Sequence, residues 1–245
     1  MVNWHARFVQ QAAWTRDLRV YLLKRAGLPR ARRVLEVGCG TGAILAELST
    51  RAAVHGLDLE PAHLSQAIIH APGAFLTCGD AHALPYPPRT FDITFCHFLL
   101  LWVRDPQRTL SEMARVTRRG GYALAMAEPD YCQRIDHPPE LALLGRWQTE
   151  SLWRQGADPK IGSRLAALFA QAGIRLIETG TLRGREKRPL TLEERETEWA
   201  VLEADLAGFV PAEEIHKMRL RDAQAWERGE RVLFVPTHYA WGQVV

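Results

Sequence analysis

The sequence predicts a doubly wound α/β domain, a parallel sheet with helices on both faces. Three observations lead there. Short apolar runs alternate with stretches of helical spacing between residues 34 and 127. The first run ends in a cluster of glycines. Hydrophobic residues make up 47% and charged residues 24% of the 245, enough for one full core and too apolar for a disordered chain.

The elements follow in order. Residues 1–27 read as helical and precede the first strand, Val34-Leu35-Glu36-Val37. Residues 41–51 carry Ile44, Leu45 and Leu48 at helical spacing. Residues 53–57 read as the second strand, and Pro61 suits the first turn of a helix reaching about residue 70. The third and fourth strands are 74–78 and 91–96. Asp105-Pro106 opens a helix with Leu110, Met113, Ala114 and Val116 inward; Gly120-Gly121 ends it, and 122–127 is the fifth strand. Beyond lie helices at 139–154 and 161–172, a strand at 174–179, two charged helices at 191–206 and 211–228, and a last strand at 232–239. The expected organisation is one domain over 1–245. A helical lid covers 1–28, the ligand-binding core 29–130, helical cap segments 131–172 and 191–229, and the final strands 174–180 and 231–240.

Composition narrows the function. A net charge of +3, with only short basic runs at 30–33 and 183–188, lacks the strong basic face of a nucleic-acid binder, and the run at 183–188 reads as a solvated loop. No apolar run reaches the length of a membrane span, and the first residues show no signal-peptide pattern. Cys39, Cys78, Cys96 and Cys132 form no C-x-x-C pair, so a reduced, cytoplasmic protein is expected.

In such sheets ligands bind beyond the carboxyl ends of the strands, where the strand order reverses. There stands Glu36-Val37-Gly38-Cys39-Gly40-Thr41-Gly42. Glycines let the backbone turn tightly and approach a ligand. Gly38-x-Gly40-x-x-Ala43 also fits a dinucleotide loop, but Glu36 would repel a pyrophosphate. That carboxylate favours a cationic ligand, such as the ammonium of a methionine moiety. Asp58 ends the second strand, where an acid accepts hydrogen bonds from ribose hydroxyls. Asp80 follows the third. It either holds an exocyclic adenine amine between Leu59 and Leu84 or is a turn residue bonding its own backbone.

Glu36-x-Gly38-x-Gly40-x-Gly42, Asp58, Asp80-Ala81-x-x-Leu84-Pro85 leading to Phe91-Asp92, and Arg115-Val116-x-x-x-Gly120-Gly121 together resemble the class I S-adenosylmethionine (SAM)-dependent methyltransferases. The similarity is greatest to the ubiquinone/menaquinone-biosynthesis-like group with small-molecule substrates, and it covers residues 32–130. It implies a Rossmann-like sheet of seven mostly parallel strands, the last antiparallel. It also implies SAM contacts from Gly38, Cys39, Gly40 and Gly42, from Asp58 with Leu59, from Asp80 with Ala81, and from Cys96 and His97, with S-adenosylhomocysteine (SAH) as product. Where nucleobase and protein N-methyltransferases of this class carry an Asn/Asp-Pro-Pro-Tyr-like element, this chain has Cys96-His97-Phe98-Leu99, so no nucleic-acid partner is expected.

Methyl transfer needs alignment and exclusion of water more than a dedicated catalytic group. A hydroxyl or carbon nucleophile also gains from a base. His97 at the rim is the first candidate, or else only lines the pocket. Glu128 and Tyr131 follow the fifth strand, with Asp130; Glu128 is either a base or an acid bonding backbone amides. His137 and His238 are weaker candidates. In the N-terminal helices, Arg16 can pair with the methionine carboxylate and Trp14 or Tyr21 can close the pocket, or all three are ordinary helix packing. Cys39, Cys78 and Cys96 read as small wall residues, and no metal is expected. Eight tryptophans suit either an apolar acceptor or a plain core. Two other readings stand beside this one: a nicotinamide-dependent oxidoreductase, and a SAM-binding protein without catalysis.

Overall fold

The computed structural model describes residues 3–48, 51–182 and 190–245; the basic run at 183–188 lies outside them. Seven strands form one sheet: β1 (Arg33–Val37), β2 (Ala53–Asp58), β3 (Phe75–Cys78), β4 (Phe91–Cys96), β5 (Thr117–Pro129), β7 (Ile174–Leu182) and β9 (Thr237–Val244). Their order is β3-β2-β1-β4-β5-β9-β7, and β9 runs antiparallel to both β5 and β7. β6 (Ile135–His137) and β8 (Val232–Phe234) make a separate two-stranded ribbon. The strand order reverses between β1 and β4, which opens a crevice at their carboxyl ends. Register levels those ends, for Val37 pairs with both Leu57 and Cys96.

β1 shows why both faces are covered. Leu35 and Val37 face a core shared with α4 (Pro106–Val116) and α6 (Ile161–Gln171); Val34 faces a second core under α1 (Trp4–Trp14) and α2 (Arg16–Arg25). Glu36, two residues on from Val34, turns to the α1–α2 side, because strand side chains alternate. Fully buried Phe91, Phe95 and Phe169 contribute about 1.5–3 kcal/mol each by leaving water. A third cluster stands apart from the sheet. Leu144 of α5 (Ala142–Arg154), Trp199 and Leu202 of α7 (Leu192–Leu206), and Met218 of α8 (Ala212–Glu227) form a small helical core of their own.

Several expectations change. The stretch 41–51 is not a regular helix: Gly42 adopts φ +80, only Leu45–Glu47 forms a 3-10 turn, and the last residues lie partly outside the described ones. The glycine delays the helical start, and the few residues left are too short a run to propagate. The expected final strand at 232–239 is two strands. Pro236, which has no N–H to donate, separates β8 from β9, and β9 continues to Val244. α6 packs on the main sheet through Ile161, Leu165 and Phe169 rather than joining the helical cluster. The N-terminal helical stretch breaks at Thr15. Arg30, Arg32 and Arg33 are exposed.

Candidate active site

The glycine loop is held by the strand beside it. Gly38 and Cys39 donate their N–H groups to the Leu57 carbonyl at 2.7 and 2.9 Å, and Gly40 donates its own to Asp58 Oδ2 at 2.7 Å. Gly38 and Gly40 sit at φ +74 and +52, conformations that side chains disfavour. A Cβ on Gly40 would meet Phe8 of α1 at 2.9 Å. The other Asp58 oxygen accepts from Glu60 N–H at 3.0 Å, so this acid shapes the loop as well as facing the crevice. Leu59, just beyond β2, is 70% exposed, whereas Ala81 and Leu84 are buried.

Glu36 is only 2% exposed, and its Oε2 has no hydrogen-bond partner. Burial pushes its pKa well above the usual carboxylate range, while the charge of Arg19 pulls the other way. Arg19, which sequence reasoning did not single out, is the arginine whose charge reaches Glu36. Arg16 is exposed, but Arg19 is buried with Leu22, Leu23 and Ala26 on the inward face of α2. Its guanidinium donates to the Ala12 carbonyl, to Thr15 Oγ1 and to the Glu47 carboxylate. The spacing 19, 22, 23, 26 carried that signal. Tyr21 points elsewhere, donating to Glu178 on β7.

Asp80 is exposed and bonds forward, accepting from His82 N–H at 2.8 Å and meeting His82 Nδ1 at 2.6 Å. Those two bonds hold its pKa low. His82 Nε2 accepts from Asp105 N–H at 3.1 Å, so Nδ1 carries the proton and donates to Asp80. The turn geometry expected as one alternative for Asp80 is therefore present.

His97 closes β4 on the α1–α2 side. Its Nε2 lies 2.8 Å from Thr15 Oγ1, and burial, then Arg19, pushes its pKa well below the usual histidine value. The ring is therefore neutral near pH 7. Phe98 follows at φ +52, strained for a non-glycine residue. Glu128 is fully buried; its oxygens accept from the N–H groups of Leu99 and Leu101 at 3.1 and 3.3 Å. Burial lifts its pKa to about 7 against the pull of those amides. The carboxyl is thus spent on backbone. Asp130 likewise accepts from Cys132 N–H and Gln133. His238 Nδ1 contacts Thr181 and its ring lies behind Glu128, while His137 belongs to the ribbon. Cys39 and Cys96 are buried and Cys78 exposed; burial raises the first two, so they remain thiols.

A cavity of about 680 Å³ opens beside this crevice. Thr15, Phe98 and Pro129 line it on the sheet side, and Tyr131, Trp199 and Trp226 line it on the helical side. Trp14 also lines it, under the guanidinium of Arg7 at 4.9 Å. Burial keeps the Tyr131 phenol protonated by raising its pKa. The structure thus brings Trp14 and Tyr131 to one cavity, whose edge meets His97 through Thr15. It leaves Arg16, Tyr21 and His137 elsewhere. Among the described residues no helix is long and apolar enough to cross a membrane, and no group of three His, Cys, Asp or Glu is placed to hold a metal.

Residues 35–125 match a family model described as a methyltransferase domain. The chain is 37% identical over 123 residues to the malonyl-[acyl-carrier protein] O-methyltransferase of Halorhodospira halophila, covering 47% of this chain and 42% of that protein. It is 31% identical over 153 residues to the trans-aconitate 2-methyltransferase of Methylobacterium nodulans, covering 61% and 54%. The chain thus spans about half the length of these curated relatives. A crystal structure of a Bacillus halodurans protein assigned as a methyltransferase shares the fold at a TM-score of 0.61 and 19% identity, covering 93% of this chain and 98% of that one.

Proposed function

We propose, from the match of residues 35–125 to a methyltransferase-domain model and the resemblance to the class I SAM-dependent methyltransferases, that this protein transfers a methyl group from SAM to a small molecule held in the cavity. One observation carries the reading. The cavity touches the carboxyl edge of the sheet at Phe98 and reaches Thr15, which hydrogen-bonds His97 there.

The residues present fit the cofactor. Glu36 Oε2 is a buried acceptor without a donor, and Gly38 and Gly40 hold the loop at positive φ, where a side chain is disfavoured. The unpartnered Glu36 oxygen is an acceptor for the ammonium of a methionine moiety and Arg19 a donor to its carboxylate, so Arg19 takes the role expected of Arg16. Asp58 with Leu59 faces the ribose, Asp80 with Ala81 the adenine, and Cys39 and Cys96 supply small walls. When bound, SAM supplies an electrophilic methyl group on its sulfonium.

The chain's own groups then align the acceptor and exclude water, the main source of acceleration in such transfers. The Tyr131 phenol stays protonated and donates a hydrogen bond to the acceptor. Neutral His97 receives an acceptor proton by way of Thr15, which lines the cavity and hydrogen-bonds the ring. Glu128 shapes the turn at 99–101 and takes no proton from substrate. Helices α1 and α2 serve as a lid, and α5, α7 and α8 as a cap on a single unit. The concave, tryptophan-lined cavity of about 680 Å³ favours a small molecule over a nucleic acid, and four free thiols suit a reducing, cytoplasmic setting.

Calorimetric titration tests the cofactor assignment. SAH is expected to bind at micromolar concentration and NADH not at all, and Glu36→Gln is expected to weaken SAH by about tenfold. Binding of NADH in place of SAH would refute the reading.

A further inference from the structure

The cavity carries an arginine that its own carboxylates do not use. This inference rests on the cavity being the acceptor site. Four arginines line it: Arg7, Arg134, Arg195 and Arg231. Arg134 and Arg231 are spent inside the protein. Arg134 pairs with both oxygens of Asp136 at 2.8 and 2.9 Å, and Arg231 bridges Asp136 at 2.7 Å and Asp222 at 2.5 Å. Arg7 lies against Trp14, donates to Gln10 at 3.0 Å and stands 3.7 Å from Glu198.

Arg195 is different. It sits in the first turns of α7, whose start is fixed by a capping box between Thr191 and Glu194. Its guanidinium carbon lies 5.9 Å from the centre of the Trp226 ring. Its Nε is buried without a hydrogen-bond partner, and among the described residues it has no ion pair. A dry Nε–H is costly to leave unmatched. The side-on edge of a guanidinium, Nε with one Nη, matches two oxygens of a planar or tetrahedral anion. The walls around it are aromatic.

We propose that Arg195 anchors an oxyanion, a carboxylate or a phosphate, carried by the methyl acceptor, whose apolar body lies against Trp14, Trp199 and Trp226. The acceptor is then an amphiphilic anion rather than a neutral or cationic molecule. The anchor holds it by the end that is not methylated, so the reacting atom is turned toward Thr15 and Tyr131.

The test uses the full chain saturated with SAH and follows tryptophan fluorescence on titration with benzoate, phenyl phosphate and benzamide. At least one anion is expected to bind ten or more times tighter than the neutral amide. The tighter anion distinguishes carboxylate from phosphate. Arg195→Gln, with an unchanged melting curve, is expected to bring the anion down to the level of benzamide. Should that variant melt early, Arg195→Lys takes its place; it keeps the charge, loses the side-on edge and is expected to lose most of the preference. Equal binding of all three probes, binding of neither anion, or a preference that survives both substitutions overturns the anchor. SAH binding is measured first in the same protein. Its failure removes the methyltransferase reading and this inference with it, whereas normal SAH binding without an anion preference removes the anchor alone.

Discussion

Arg19 and Arg16 lie three residues apart on one helix, yet only Arg19 is buried beside the acids. Arg19→Met is therefore expected to weaken SAH by about 1.5–3 kcal/mol, the range for a hydrogen bond to a charged group, with Arg16→Met within twofold of wild type in the same calorimeter. Equal effects would place the methionine end of the cofactor elsewhere. Glu128 and His97 are pushed in opposite directions by burial, and the signs matter. Glu128, lifted to about 7, favours folding when protonated, so its contribution is whole below the ordinary carboxylate range and is lost as pH rises through 7. The loss is on the order of 3 kcal/mol. His97, held low, favours folding when neutral, so its contribution is lost as pH falls below about 6.5. Denaturant melts of Glu128→Gln are expected to flatten the decline in stability between pH 5 and pH 8, and an unchanged slope would mean the carboxyl is not protonated in the fold. The glycine turn was legible in the sequence, because the positive φ at Gly38, Gly40 and Gly42 demands glycine. The choice between Arg16 and Arg19 was not, since it depends on how α2 is rotated against the sheet, and only Leu22, Leu23 and Ala26 report that rotation.

Helix α1 lies across the loop as a strap. His5 Nδ1 meets Thr41 Oγ1 at 2.8 Å, Phe8 rests on Gly40, and Thr15 just beyond it meets His97. If α1 covers bound cofactor, Phe8→Ala is expected to speed SAH release about tenfold in stopped flow, with a smaller change in the association rate. Slower release would mean that Phe8 competes with the cofactor for the loop. Gly40→Val, at φ +52 and 2.9 Å from that ring, is expected to abolish measurable binding. The core elements were readable from local signals: the helix expected from Pro61 to about residue 70 is α3 (Pro61–His70), and the strand expected at 91–96 is β4. The segments that misled are those where one residue overrides the pattern. Gly42 shortens a helix whose apolar spacing was sound, and Pro236 cuts an apolar run into a ribbon and a sheet strand.

Across the whole molecule, the helical cluster of α5, α7 and α8 is tied down by charge as much as by apolar contact. Arg134, Asp136, Arg231 and Asp222 are nearly inaccessible, and Trp199 Nε1 donates to Asp222 at 2.8 Å. Asp222→Ala leaves Arg231 without one of its acids and Trp199 without an acceptor, so a loss of about 3–5 kcal/mol is expected in thermal or denaturant unfolding. The double replacement Asp222→Leu with Arg231→Met is expected to cost less than the single one, and the reverse order would show that the charges are not coupled. No periodicity announces this network, because its members come from four separate segments and meet only in three dimensions. The position of β9 has a further consequence. It is inserted between β5 and β7, yet it is the final strand of the sequence. During synthesis β5 and β7 must wait with bare hydrogen-bonding edges until residues 237–244 emerge from the ribosome, and a nascent chain stalled before then exposes two sticky strands to its neighbours.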